Sequence, residues 1–277
     1  MRDLAGFRPH KSKGQNFLTQ PRIADRIATA ARLDSSDDVV EIGPGLGILS
    51  EAVLRHGVHS LTMIELDLRL ATVLQDRMRD RRGVNVINAD FLDLRGLPVD
   101  GPLKVVANLP FNVATAILER ICADYARITL MVLMFQREVA ERIRARPGDP
   151  NYGALSVYTA LYWNVTDHFR VAAGNFNPQP KVDAEVLVFT PRRPALFDAA
   201  DEQIILRTIR AAFTQPRKTL RNSLANGLGF VPAIAQVMLE RAGIDPVARA
   251  AKLHLDDFLR LARELESEAT TPDARNA

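Results

Sequence analysis

Between residues 38 and 136 the chain alternates two hydrophobic rhythms. Short runs rich in Val, Ile and Leu (DVVEI, SLTMIEL, VNVINAD, LKVVAN, ITLMVLMF) read as strands. Between them, ILSEAVLRHG, LRLATVLQDRM and VATAILERICADY carry apolar residues at helical spacing. Strand and helix in strict alternation predict an α/β domain with a parallel sheet and helices on both faces. The near-continuous apolar character of the strands agrees, because parallel strands are buried on both sides.

After FQREVAERIRARPGDPNYG the rhythm changes. ALSVYTALYW predicts a helix, and NVTDHFRV and AEVLVFTP predict a terminal strand pair joined by AAGNFNPQPKVD. Beyond Pro191 to Pro194 the strand pattern stops, and residues 200 to 265 predict short helices broken at NGLGF and AGIDP. The expected organisation is a domain over 1–192, opening on a basic segment at 1–22, then a helical domain over 193–266. The polar tail 267–277 is expected to be disordered.

Composition narrows the function classes. Of the 277 residues 47% are hydrophobic and 25% charged, as in a globular protein with a sizeable core. No apolar run approaches the roughly 18 residues needed to span a bilayer, and the N-terminus has no apolar signal-peptide core, so a cytoplasmic protein is expected, with a monomer as the default. Cys122 is the single cysteine, which excludes a disulfide framework and predicts a core residue. Net charge is only +3, yet its distribution is uneven. Leu4 to Ala24 contains no acid but carries Arg8, Lys11, Lys13 and Arg22. Gln203 to Leu239 is likewise acid-free, with Arg207, Arg210, Arg217, Lys218 and Arg221. Ordinary solvated faces interleave both signs, so these segments predict contact with nucleic-acid phosphates. Arg217, Lys218 and Arg221 are expected on one helical face.

In a doubly wound sheet, ligands bind at the carboxyl ends of the strands. In VVEIGPGLGILS, Gly43, Gly45 and Gly47 follow a strand and open a helix, where glycine permits a tight turn and close approach of a ligand. Such a turn is a weak signal alone. A dinucleotide fingerprint would need glycine at position 48, where the chain has Ile48. The pattern after Glu41 therefore suits a ligand without a pyrophosphate. Glu65, closing the next strand in MIELD, is placed to accept hydrogen bonds from ribose hydroxyls, while Asp67 reads equally as a helix cap. In NADFLDL, Asp90 is placed to hold an adenine amine with Phe91 beside it, and an Asx-turn is the competing reading. Together the three ends describe a pocket for adenosine with a small tail. S-adenosylmethionine fits that description better than NAD.

The fourth strand end is Asn108-Leu109-Pro110-Phe111. Pro110 fixes the backbone and pushes Leu109 towards an extended conformation. That geometry aims the Asn108 side-chain oxygen and the Leu109 carbonyl at one point, as two acceptors for an exocyclic NH2. Phe111 offers a face for stacking the base. Alignment beside an activated methyl group carries much of the rate for such a reaction, and the two oxygens stabilise charge developing on nitrogen.

These motifs, with KGQNFL before them and FQREVAERI, FNPQPKVDAEV and RKTLRNSL after them, closely resemble the KsgA/Dim family of rRNA adenine dimethyltransferases, to about residue 260. The resemblance implies a seven-stranded Rossmann-like class I methyltransferase domain with a small helical C-terminal domain. It implies N6,N6-dimethylation of two adjacent adenosines near the 3′ end of 16S rRNA within an immature 30S subunit. It assigns S-adenosylmethionine contacts to Asn16, Leu18, Gly43, Glu65, Asp90 and Asn108, and makes Phe176 the ring that sandwiches the target base against Phe111. The family's bacterial pattern usually has Tyr where this chain has Phe111, and stacking needs the ring rather than the hydroxyl. Erm-type methylation of 23S rRNA shares the cofactor motifs, whereas RKTLRNSL and FNPQPKVDAEV favour the small-subunit reading. A binding factor with vestigial catalysis is the rival from another class, and the intact Asn108, Glu65 and glycine turn argue against it. Metal catalysis has little support: His56 and His59 lack a third ligand nearby in sequence, and His10, His168 and His254 are isolated.

Overall fold

The computed structural model describes residues 15–270; Lys11 and Lys13 lie outside them. The chain enters through a short strand, β1 (Phe17–Leu18), and a helix, α1 (Pro21–Ala30). Pro21 sits in the first turn of α1, where its missing N–H costs nothing. Ala24, Ile27 and Ala28, three and four apart, form the buried stripe. Then follow β2 (Asp38–Ile42), α2 (Ile48–Leu54), β3 (Ser60–Glu65), α3 (Leu68–Met78), β4 (Val84–Asn88), β5 (Leu103–Asn108), α4 (Ala114–Ile121) and β6 (Ile128–Gln136). The alternation expected from the sequence is the one observed.

After α5 (Arg137–Arg144) and α6 (Ala154–Tyr162) the chain returns to the sheet as β7 (Trp163–Val171), forms the short β8 (Phe176–Asn177), and closes the sheet with β9 (Ala184–Pro191). Trp163 opens β7 rather than ending the helix before it. The sheet has seven strands in the order β4-β3-β2-β5-β6-β9-β7. β2 to β6 pair in parallel, and β9 runs antiparallel to β6. Val39, Val106, Val132 and Val186, from four neighbouring strands, share one core with α1 and with Leu49, Ala52 and Val53 of α2. Burial of each such Val or Leu side chain contributes about 1.5–3 kcal/mol.

This strand order creates the site. β2 has β3 on one side and β5 on the other, so the connections leave in opposite directions and open a crevice at the carboxyl ends. In register, Val39 lies opposite Lys104 and Glu41 opposite Val106. The same offset carried forward sets Gly43 beside Asn108.

Contacts divide the chain into two compact units. One takes the described residues up to Ala140 together with Asn164–Pro191; the other takes Glu141–Trp163 with the described residues from Arg192 on. One break falls at Arg192. The segment Glu141–Trp163, expected within the first domain, instead packs with the helical unit of α7 (Glu202–Ala212), α8 (Leu220–Leu228), α9 (Pro232–Arg241) and α10 (Leu255–Thr270). The reason is the company α6 keeps: it packs on α7 and α10, and Tyr162 donates its hydroxyl to Glu202. Tyr152, just before α6, donates to the Leu253 carbonyl at 2.8 Å. Phe213 stacks on Phe258 within this unit's core. α10 continues to Thr270, so residues 267–270 are helical and not part of a disordered tail; residues 271–277 lie outside the described residues.

Candidate functional site

At the crevice between β2 and β5 lies a cavity of about 60 Å³, whose lining includes Asn16, Gly43, Gly45, Glu65, Asn108 and Pro110. The turn after β2 shapes its floor. Gly43 and Gly45 have φ of +67° and +56°, a region that side-chain-bearing residues enter at a cost. A Cβ on Gly45 would also stand 2.8 Å from the Phe17 ring, so β1 closes down on this turn.

Glu65, at the end of β3, is buried. Its two carboxylate oxygens accept from the Gly45 N–H at 3.0 Å and the Asp67 N–H at 2.9 Å. Asp67 is the N-cap of α3: it accepts from the Arg69 backbone N–H and holds the Arg69 guanidinium through both oxygens. The capping reading of Asp67 is the structural one, although the residue also lines the cavity.

Asn108 closes β5. Its Nδ2 donates to the Asn16 carbonyl at 3.1 Å, which fixes the sense of the amide. Its Oδ1 is buried and accepts no hydrogen bond among the described residues. A buried acceptor left unmet costs about 1–3 kcal/mol, the kind of strain stored at functional sites. Leu109 is buried and Pro110 packs over the Gly43 turn, its Cδ 3.6 Å from where a Cβ on Gly43 would lie. A smaller cavity beside it is lined by Leu18, Glu41 and Asn108 among others. Glu41 is fully enclosed, and its Oε2 has no hydrogen-bond partner among the described residues. Burial pushes its carboxyl up to about 8; the Ser50 hydroxyl, itself without a formed hydrogen bond, opposes this rise, and the Glu65 carboxylate adds to it.

Several expected residues stand elsewhere. Asp90 follows β4 and caps a short 3-10 turn, accepting from the Leu92 N–H at 2.9 Å, and Phe91 is buried in packing. Neither lines the two cavities, so the Asx-turn reading describes Asp90 as it stands. Phe176 is buried in β8, paired with Leu18 across β1, and its ring meets Phe111 edge to face at 6.1 Å and 65°. The expected sandwich of a base between these rings needs them parallel and two stacking spacings apart. Phe176 is buried and its backbone is held by strand pairing, whereas Phe111 is half-buried and packs against the core from outside it. Arg217, Lys218 and Arg221 do not share a helical face. Pro216 takes the second position of a turn closed by the Lys218 N–H on the Gln215 carbonyl, so Arg217 and Lys218 precede α8. Arg221 is half-buried and donates to Gln236 at 3.2 Å. Sequence reasoning missed the backbone roles of Asn16 and Phe17 and gave Glu41 no function, although an acid inside an apolar strand was a signal available to it.

The buried carboxyls of Glu41 and Glu65, the glycine turn and the unmet Asn108 acceptor fit a cationic adenosine cofactor. The architecture is that of class I S-adenosylmethionine-dependent methyltransferases. A dimethyladenosine transferase of Plasmodium falciparum superposes with a TM-score of 0.78 at 26% identity, covering 91% of this chain and 98% of that one. The 23S rRNA methyltransferase ErmE gives 0.66 at 28% identity, over 91% of this chain and all of that one. Ribosomal RNA small subunit methyltransferase A of Syntrophotalea carbinolica is 43% identical over 94% of this chain and 97% of its own length. That of Geobacter metallireducens is 40% identical over 94% and 96%. The profile of the family described as Ribosomal RNA adenine dimethylase spans residues 6–267. With nearly the whole chain accounted for by it, the protein belongs to the ribosomal RNA adenine dimethylase family.

Proposed function

We propose that this chain uses S-adenosylmethionine to dimethylate N6 of two adjacent adenosines near the 3′ end of 16S rRNA, in an immature 30S subunit, as a cytoplasmic monomer. The observation that carries the reading is the Asn108 amide: Nδ2 is tied to Asn16 while Oδ1 is buried, unmet among the described residues and adjacent to the pocket. An acceptor held in that state matches one N–H of an adenine amine, and the Leu109 carbonyl takes the other. Both bonds draw the nitrogen lone pair out of conjugation with the ring and towards bonding.

When bound, S-adenosylmethionine supplies a methyl group activated by its sulfonium. Glu65 holds ribose hydroxyls, the Gly43–Gly45 turn admits close backbone approach, and Glu41, once ionised beside the bound cation, offers negative charge to the cationic end. Asp90 and Phe91 are assigned to the adenine, which requires the Asp90 oxygen not engaged by Leu92. Phe111 turns from its contact with Phe176 so that the target base enters between the rings. Asn16, Phe17 and Leu18 cover the pocket and exclude water. Arg217 and Lys218 contact phosphates.

The test is methyl transfer from labelled S-adenosylmethionine to unmethylated small subunits and, separately, to large-subunit RNA, with nucleoside mapping. N6,N6-dimethyladenosine at adjacent small-subunit positions is the expected product. Label confined to one large-subunit adenosine would replace this reading with the Erm-type one.

A further inference from the structure

We propose that Thr19 is a positioning residue that couples the two ligands: it ties the strand over the cofactor pocket to the loop carrying Phe176, so that each ligand tightens binding of the other. This rests on the reading of the crevice as a cofactor pocket and of Phe111 and Phe176 as the rings that take the target base.

The tie is a single carbonyl. The Asn175 oxygen accepts from the Thr19 N–H at 2.9 Å and from the Thr19 hydroxyl at 3.0 Å. Asn175 ends a one-turn 3-10 helix, Ala173–Asn175, and its side chain closes that turn by donating to the Ala172 carbonyl at 2.9 Å. Phe176 is the next residue. Because a peptide unit is planar, a bond to the Asn175 carbonyl fixes the plane from which Phe176 departs.

The three residues before Thr19 reach the pocket and the core beside it. The Asn16 carbonyl accepts from Asn108 Nδ2 at 3.1 Å. The Phe17 ring lies against the Gly45 turn, and Leu18 pairs with Phe176 and shares a core with it. Four consecutive residues thus touch the amide at the reacting centre, the glycine turn and, twice, the target-base loop.

The energetics of so small a ladder favour coupling. β1 and β8 form a sheet of their own, two strands of two residues each, and even a full two-stranded ribbon is marginal in water. β1 therefore takes its hold from what it touches on either side. With the pocket filled, Asn16 and Phe17 have a surface to close on, and β1 is already ordered when a base reaches Phe176. The second ligand then meets a smaller entropic cost, which is positive cooperativity. Linkage makes the effect equal in both directions. The Thr19 hydroxyl is half-buried and belongs to a side chain, so substitution removes its bond and leaves the main-chain pairing in place.

The test uses the full chain with Thr19→Val, which keeps the shape and β-branching of the side chain without the hydroxyl, and with Thr19→Ser, which keeps the hydroxyl. Calorimetry gives the affinity for S-adenosylhomocysteine. Filter binding gives the affinity for unmethylated small subunits with and without saturating S-adenosylhomocysteine. Wild type is expected to bind the subunits about 5- to 150-fold more tightly when S-adenosylhomocysteine is present. Thr19→Val is expected to lower that factor by about 2- to 10-fold, the worth of one hydrogen bond, and Thr19→Ser to restore it. Hydrogen exchange at the Thr19 amide is expected to slow on S-adenosylhomocysteine binding in wild type, and to slow less in Thr19→Val. Wild-type affinities that are independent of each other overturn the coupling. Separate losses of the two affinities in Thr19→Val, with the factor held at its wild-type value, make Thr19 a structural residue only. A Thr19→Ser chain as uncoupled as Thr19→Val overturns the role of the hydroxyl. Wild type that binds no S-adenosylhomocysteine refutes the functional reading itself, before any RNA is added.

Discussion

The pocket at the sheet's carboxyl edge and the basic stretch around α8 are built on opposite principles. The pocket is about 60 Å³ and closed by Phe17, with the Asn108 Oδ1 and Glu41 Oε2 atoms buried and unmet among the described residues. The stretch around α8 presents Arg217 and Lys218 to water. A polar atom removed from water without a partner raises the free energy of the empty protein and recovers it when a ligand atom arrives, in a setting where each hydrogen bond is electrostatically stronger. A solvated side chain exchanges one set of hydrogen bonds for another and gains little. Chemistry belongs in the first setting and tolerant recognition in the second. This contrast predicts that pocket changes affect activity, protonation and stability together, whereas changes around α8 affect binding in small increments.

The largest expected effect is at Asn108. Asn108→Ala should lower methyl transfer by about 10²- to 10³-fold, the usual loss when one preorganised group at the reacting atom is removed. Because the alanine also deletes a buried unmet acceptor, the thermal midpoint should hold steady, despite the lost bond to Asn16. A calorimetric scan beside a single-turnover assay checks both. A large fall in stability with a proportionate fall in activity would make Asn108 a structural residue and erase the contrast.

Glu41 sharpens the contrast through pH. Its native pKa, about 8, lies above the ordinary 4.5, so the folded state holds a proton that the unfolded chain releases. Stability from this group is therefore full below about pH 4.5 and is lost as pH rises through about 8. Each tenfold difference in proton affinity between the two states is worth about 1.4 kcal/mol. Glu41→Gln cannot ionise and should show a smaller loss of stability between pH 5.5 and 8.5 in urea titrations. A cation seated beside Glu41 favours its carboxylate, so cofactor binding should release a proton and tighten as pH rises towards 8. Titration calorimetry in two buffers of different ionisation enthalpy measures that release. Equal pH dependence in wild type and Glu41→Gln would remove Glu41 from the account.

Much of the pocket could be read from the chain because strands in a parallel sheet carry continuous apolar runs, so residues that break those runs mark strand ends. Gly43, Glu65 and Asn108 stand out for that reason, and the strand order brings their ends into one crevice. What could not be read depends on partners distant in sequence. The apolar face of α6 is visible in ALSVYTALY, but whether it covers the sheet or α7 and α10 is decided by packing. Asp90 was ambiguous because a carboxylate followed by two ordinary residues serves a turn as readily as a ligand. Phe111 and Phe176 meet edge to face through side-chain torsions that no spacing encodes. The basic trio was misplaced because Pro216 was not weighed as a turn former, which put Arg217 and Lys218 on a helix they precede.

Two glycines test whether crowding or backbone conformation dominates in each region. Gly45 and Gly229 both have positive φ, +56° and +74°, yet a Cβ meets Phe17 at 2.8 Å in one case and nothing within 4 Å in the other. Gly229→Ala should cost about 1–2 kcal/mol from backbone conformation alone and leave cofactor affinity unchanged. Gly45→Ala carries the same cost and also displaces Phe17 from the pocket, so it should be the less stable variant and bind S-adenosylmethionine more weakly. Equal losses at both sites would mean that Phe17 yields freely and that β1 is not a firm cover.

The smallest effects separate two arginines that sequence alone treated as equivalent. Arg217 is exposed in the turn before α8, and a contact from it to phosphate would release a counterion; Arg217→Ala should reduce the salt slope of RNA binding by about 0.7–0.9, with no change in melting temperature. Arg221 is half-buried, gives one N–H to Gln236 and keeps Nε buried without a partner among the described residues. Arg221→Ala therefore loses packing and a hydrogen bond worth about 0.5–1.5 kcal/mol, partly offset by removal of the unmet Nε. Its signature is a small drop in melting temperature with the salt slope little changed. If Arg221→Ala instead flattened the salt dependence as much as Arg217→Ala and melted like wild type, its bond to Gln236 would give way to phosphate on binding, and the basic trio would act as one unit after all.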